Sequence, residues 1–216
     1  MVLLWKIRKT CLFRSVAAPT SGFCVKAEIS EMNFIIRELD LADNRSIDLF
    51  HDFYDTVFVS NFPKDEIGSF EDYLAIKKTE NSEYSYHLTF IEDGGRYVAC
   101  FIYCLFPAIG SMVGEFACVD KPFRRTGMAS ALMRRAAATH GCRWMFGEIE
   151  KKNAFNLRTW RRYGFKLVPV DYVQLSLGEG REPVRDLFLC VMPLLGQKTI
   201  GAEEVRTFIY DYYRWS

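Results

Sequence analysis

Cys118-Val119-Asp120-Lys121-Pro122-Phe123-Arg124-Arg125-Thr126-Gly127-Met128-Ala129 is the stretch from which the rest of the chain can be read. An apolar, strand-like run from Phe116 to Val119 breaks at Asp120 and Pro122, and a basic turn containing one glycine follows. Met128 to His140 then reads as a helix, with Ala129, Leu132, Met133 and Ala136 forming an i, i+3, i+4, i+7 stripe that can dock on a sheet. Arg134 and Arg135 fall on its outer side, where charge serves solubility. Strand, glycine turn and helix in that order set unpaired backbone N–H groups and the positive end of a helix beside two arginines, a receptacle for phosphate. Glycine suits such a turn because a Cβ obstructs close approach of the backbone to a ligand. The plainer alternative is a solvated turn, since Arg-x-x-Gly-x-Ala is short enough to recur by chance.

Composition narrows the class. The 216 residues suffice for one large domain with a substantial core, and 50% hydrophobic with 25% charged residues is ordinary for a globular protein. A net charge of +1 implies no wide basic surface and argues against a nucleic-acid binder. Seven cysteines is an odd count, and Cys100, Cys104, Cys118 and Cys190 sit inside apolar runs. Reduced, buried thiols in a cytoplasm-like compartment are expected. No cysteine pair has metal-ligand spacing with a histidine nearby, so no metal site is expected. Tyr97 to Gly114 carries no charge and is long enough for a membrane span, but Pro107 and Gly110 interrupt it. Two buried strands joined by a turn fit its aromatic and β-branched content better, so no membrane partner is expected. Residues 1–31 carry five basic residues and no acid before Glu28. That is either the charge pattern of an organellar targeting segment or a loosely ordered leader ahead of Met32.

Outward from the glycine turn, the elements alternate. Phe34 to Leu39 predicts a first strand, and Asn44 to Phe58 a helix with Ile47, Phe50, Tyr54 and Phe58 on one face. Ser69 and Asp72 form a capping box for a second helix through Lys77. Tyr84 to Phe90 alternates as a strand with one buried face, and Glu92 to Arg96 supplies hairpin turn residues before Tyr97 to Leu105. A fourth strand spans Met112 to Val119, a fifth Arg143 to Glu150, and a helix runs from Asn153 to Tyr163. Strands at Phe165 to Val168 and Leu187 to Met192 and a terminal helix from Ala202 to Trp215 complete an α+β domain. The organisation expected is a leader (1–31), a domain (32–196) and a helical extension (197–216).

This order, with its phosphate turn after the fourth strand, resembles the GNAT superfamily of acyl-CoA-dependent N-acyltransferases. Arg124, Gly127 and Ala129 fill the family's Gln/Arg-x-x-Gly-x-Gly/Ala motif, and Asn153 stands eleven residues before Gly164-Phe165, the family's usual spacing. The resemblance covers Phe34 to Met192, and the stretch from Asp171 to Gln174 and on to Leu187-Phe188-Leu189 is similar to a bacterial subset of the family. It implies a mixed, mostly antiparallel central sheet flanked by helices, whose fourth and fifth strands splay apart. It also implies acetyl-CoA or another acyl-CoA as co-substrate. The pyrophosphate would lie on the N–H groups of Arg125, Thr126, Gly127, Met128 and Ala129, with Arg124 adding charge. The pantetheine arm would pair like an added strand near Cys118 and Val119, with Asn153 on its other side and an N–H near Ala117 for the oxyanion.

Catalysis needs a base for the amine. Glu115 is the first candidate, expected to share a face with Ala117 and Val119 in apolar surroundings that raise its pKa; a structural ion pair is the competing role. Glu148 and Glu150 share one face of the fifth strand and stand as alternatives, against plain solvent exposure. The family's usual acid, a Tyr four residues before Gly-Phe, is Trp160 here, and an indole cannot supply a proton in this range. The Ala usual three residues after the helix-opening Asn is Asn156. Tyr163 is the nearby candidate acid, and a packing residue otherwise. Phe50, His51, Tyr54, Phe58, Phe62 and Tyr73 either wall an acceptor pocket or form core. The expected activity is direct transfer of a short acyl group to the amine of a small molecule or peptide. A non-catalytic acyl-CoA-binding domain is the alternative, and whether copies pair as a homodimer is left open.

Overall fold

The computed structural model describes residues 34–64, 67–78, 83–174 and 183–215. The leader segment lies outside them. In chain order, β1 (Ile35–Glu38) is followed by α1 (Asn44–Phe53), a π-helical turn (Tyr54–Phe58), α2 (Val59–Asn61) and α3 (Phe70–Lys78). The hairpin β2 (Ser85–Asp93) and β3 (Arg96–Phe106) leads through a 3₁₀ turn at Pro107–Ile109 to β4 (Ser111–Val119). Then come α4 (Met128–His140), β5 (Trp144–Glu150), α5 (Ala154–Tyr163), β6 (Lys166–Leu167), β7 (Leu187–Pro193) and α6 (Ala202–Trp215). The uncharged run from Tyr97 to Gly114 is thus two strands and a turn, and among the described residues no helix is long and apolar enough to cross a membrane.

The strands form one mixed sheet in the order β1-β2-β3-β4-β5-β7-β6, antiparallel except for β4 beside β5. Each face carries its own core. On one, α1, α3 and α6 cover Leu88, Phe90, Ile102, Phe116, Phe146 and Leu189. On the other, α4 and α5 cover Phe101, Met112, Met145, Ile149 and Cys190. Because α4 also packs on β2, that strand is buried on both faces rather than the one its alternation predicts. Ser69 and Asp72 form the reciprocal cap, with Ser69 N–H donating to Asp72 at 2.9 Å and Asp72 N–H to Ser69 Oγ at 3.2 Å. The α6 helix is built into the first core: Phe208 stacks on Phe146 with ring centroids 3.6 Å apart. Phe50, Phe58, Phe62 and Tyr73 are buried in the same core, and His51 is exposed beside Asp55. The aromatic wall is therefore mostly core. All five cysteines within the described residues are buried and stand outside any disulfide.

Candidate active site

The glycine turn is a tight, tethered structure. Lys121–Phe123 forms a 3₁₀ turn, Thr126 Oγ donates to the Phe123 carbonyl at 2.6 Å, and Arg96 donates to Asp120 at 3.0 Å. Arg125 (φ 71°) and Gly127 (φ 88°) both lie in the left-handed region, an uncommon setting for arginine that reverses the chain into α4. No side chain caps α4, and Ala131 N–H to the Gly127 carbonyl (2.9 Å) closes its first turn. The amides ahead of Ala131 therefore sit at the positive end of a 13-residue helix, whose geometry leaves its first N–H groups without intrahelical acceptors. A Cβ built on Gly127 meets nothing within 4 Å, so the turn faces open space. Arg124 departs from expectation in its direction. Its Nε donates to the Val119 carbonyl at 3.2 Å and its Nη2 to Asn61 Oδ1 at 2.6 Å, so it ties the turn to β4 and α2.

The second feature is the parting of β4 and β5. They pair only at Ser111–Trp144, Met112–Met145 and Val113–Phe146, and beyond Val113 β4 keeps β3 as its neighbour while β5 keeps β7. The parting begins at a β-bulge: Ile102 and Tyr103, adjacent on β3, face Phe116 and Gly114, leaving Glu115 as the extra residue. The bulge reverses the parity of the strand. Ala117 and Val119 pack on the α4 face, whereas Glu115 acts electrostatically on Tyr73 and Tyr212, both in the core of the opposite face. The expectation that Glu115 shares a face with Ala117 and Val119 is corrected by that single inserted residue.

Glu148 lies across the parting on the same side as Glu115. It is 4% exposed, and its carboxylate accepts from Tyr172 Oη at 2.5 Å and Gln174 Nε2 at 3.1 Å. Tyr172 Oη is 2.8 Å from Tyr213 Oη, which donates to the Val173 carbonyl at 3.1 Å. Burial foremost, and then the Glu148 charge, hold the Tyr172 and Tyr212 hydroxyls above the ordinary phenol range, so both stay protonated; Glu115 adds to the effect at Tyr212. Two carboxylates thus flank the strand parting with Tyr212 influenced by both, in a surround of protonated tyrosines. Glu150 follows on the same face of β5 and is half-buried. Tyr172, Gln174, Tyr212 and Tyr213 escape sequence reasoning as site residues. The resemblance of 171–174 to family members is the one signal that touches them.

On the other face, Asn153 caps α5 by accepting from Asn156 N–H at 3.0 Å. Asn156 is 4% exposed, and its Oδ1 has no hydrogen-bond partner among the described residues. Trp160 lies over Gly147, where an added Cβ would come within 3.1 Å of the indole, and meets Phe165 edge-on with centroids 4.5 Å apart. Tyr163 follows three residues on, about 4.5 Å further along the helix axis. Gly164 next to it reaches Met192, which pairs with Met145. That direction leads to the joined end of β4 and β5, and Tyr163 is half-buried against the α4-side core.

Residues 47–165 match the family model described as the acetyltransferase (GNAT) family. No curated protein matches the chain. Solved structures with a similar fold include a GNAT-family protein from Bacteroides thetaiotaomicron, 17% identical over 83% of this chain and 94% of that one, with a TM-score of 0.60. The ribosomal-protein-S18-alanine N-acetyltransferase from Escherichia coli is 13% identical over 78% of this chain and 99% of its own, at 0.51. Ard1 from Thermoplasma volcanium is 16% identical over 76% and 99%, at 0.53. At these identities the likeness is one of fold.

Proposed function

The chain belongs to the acetyltransferase (GNAT) family, and from that membership we propose that it moves an acetyl or other short acyl group from acyl-CoA directly to a primary amine of a small molecule or peptide. The observation that carries the reading is the uncapped start of α4 behind Gly127, at the end of a strand whose other edge is left open where β5 departs. Those features fit acyl-CoA. The amides of Arg125, Thr126, Gly127, Met128 and Ala129 would hold the pyrophosphate, with Arg124 bracing the turn from behind. The open edge of β4 at Ala117, Cys118 and Val119 would pair with the pantetheine arm. Asn153 Nδ2 and the buried Asn156 Oδ1 offer it a donor and an acceptor. When bound, acyl-CoA supplies an acyl carbon activated as a thioester.

The protein's own work is to orient the amine, take its proton and meet developing charge on the carbonyl oxygen. The carboxylates on the α1, α3 and α6 face attract a cationic amine from the side opposite the turn. Glu115, at the bulge, takes the proton. Glu148, fixed by Tyr172 and Gln174, positions the acceptor. A backbone N–H near Ala117 serves the oxyanion. No acid is required of Tyr163 in this reading, because a thiolate near its solution pKa departs without one.

Acyl-CoA at a hundred times its dissociation constant stabilises a fold by about 2.7 kcal/mol. For this chain that is a rise in Tm of about 5–10 °C. An Arg124→Ala/Gly127→Glu variant loses the shift. Glu115→Gln keeps the shift and loses about 10²–10⁴-fold in thioester consumption with an amine acceptor. No shift in the folded parent overturns the proposal. Trp160 in place of the usual acid favours a second reading, a non-catalytic acyl-CoA-binding domain, which a shift without turnover across amine panels would select.

A further inference from the structure

The far edge of the sheet gathers three potential metal ligands that neither the family fold nor the proposed activity uses. Glu38 ends β1, His87 lies in β2 and His140 is the last residue of α4. One ligand atom from each lies within 4.8 Å of the other two. They include two of the chain's three histidines, brought together from positions about fifty residues apart in sequence. We propose that Glu38, His87 and His140 form a binding site for a divalent transition metal of the zinc class, which clasps the edge strand β1 to β2 and to the end of α4.

The surroundings suit a metal site. His87 Nδ1 faces Glu38 Oε1 at 2.6 Å, and its other nitrogen, Nε2, lies 2.7 Å from Ser85 Oγ. Tyr103 Oη lies 2.9 Å from His140 Nε2. Each imidazole therefore has one nitrogen oriented by a hydroxyl, the kind of outer contact that fixes ring orientation in metal sites. The rings of His87 and His140 are 4.5 Å apart between centroids, and His87 stacks on Tyr103 at 5.1 Å, which holds both rings against the sheet. Two imidazoles and one carboxylate are a zinc-type donor set, leaving a fourth position for water. His140 also stands at the negative end of the α4 dipole, which favours a cation. Glu38 also lines an open groove of about 480 Å³ together with Leu39 to Ala42, Lys77 and Lys78, so the carboxylate is reached from solvent.

One cation is already present. Lys77 Nζ donates to the same Glu38 Oε1 at 2.8 Å, so a metal competes with an ammonium that can swing into the groove. This makes the proposal selective in its predictions, because removing Lys77 must help the metal while removing either histidine must harm it.

The test is titration of Zn²⁺ alone into the metal-stripped full chain, followed by calorimetry and by the Tm, with far-UV circular dichroism as the fold check. The parent should take up one ion per chain and gain in Tm. H87A and H140A should each weaken binding about tenfold or more, since even outer-shell losses cost 10–100-fold. K77M should bind more tightly than the parent. Co²⁺ on the parent is the second measurement and needs no variant: a visible d–d absorption that Zn²⁺ bleaches supports the site. Absence of saturable uptake, absence of the Co²⁺ band, or uptake that survives in both histidine variants overturns it. The cluster is then a Lys77–Glu38–His87 hydrogen-bond network and nothing more. None of these readouts depends on acyl transfer.

Discussion

Gly127 shows how one residue serves two demands. Its φ of 88° turns the chain from the 3₁₀ segment into α4, and the space beyond its Cα is open. Gly127→Ala therefore introduces no clash, and its cost comes from the left-handed backbone alone, about 1–2 kcal/mol. A denaturant midpoint that falls by that amount divided by the m value, with m itself unchanged, is the expected result. Arg125, two residues earlier, already accepts a similar conformation at φ 71°. Much of this residue-scale picture is legible in the sequence. A glycine two positions after a paired arginine and just before an apolar helical stripe specifies a local conformation, and local conformation needs no distant partner. The asparagine cap on α5 is legible for the same reason. The inward turn of Arg124 is not, because its acceptor Asn61 is sixty-three residues away.

Among the elements, β4 departs most from its sequence reading, whereas α6 keeps the bounds expected of it and gains a place in the core. An apolar strand such as Ser111–Val119 gives no sign of an inserted residue, since a bulge is visible only against its partner's register. Alternation therefore assigns Glu115 to the wrong face, and the error has chemical weight, because it would separate the two carboxylates by the thickness of the sheet. The helical spacing of Val205, Phe208 and Tyr212 identifies α6, yet only packing shows that it closes the core over β3 and β5. Phe208 lies flat on Phe146 and within 5.5 Å of Tyr212 between ring centroids. Phe208→Ala should cost about 3–5 kcal/mol, the range for a fully buried aromatic. A loss below about 1 kcal/mol in urea unfolding would mean that the helix is peripheral, as surface substitutions are.

At the scale of the molecule, the two cores make the thiols a reporter of global opening. Cys100, Cys104, Cys118, Cys142 and Cys190 are all buried. Burial pushes the Cys142 thiol up to about 11 and Cys104 higher still, so at neutral pH these two are protonated and unreactive as well as shielded. Site-resolved mass spectrometry after brief alkylation at pH 8 should leave all five unmodified in the native protein and label them together in denaturant. Modification of Cys142 alone under native conditions would reveal a local opening at the end of α4. The sequence by itself determined the series of strands and helices, the glycine turn, its helix and the pair of motifs that mark the family. Those features rest on backbone preferences and side-chain spacings within a few residues of one another. Tertiary structure alone decided which face Glu115 takes, how Glu148 is buried among tyrosines, where α6 closes the core and how Glu38 meets two histidines. Each of these depends on strand register and on packing between residues far apart in the chain, and the free energy that selects a register belongs to the assembled sheet rather than to any segment of it.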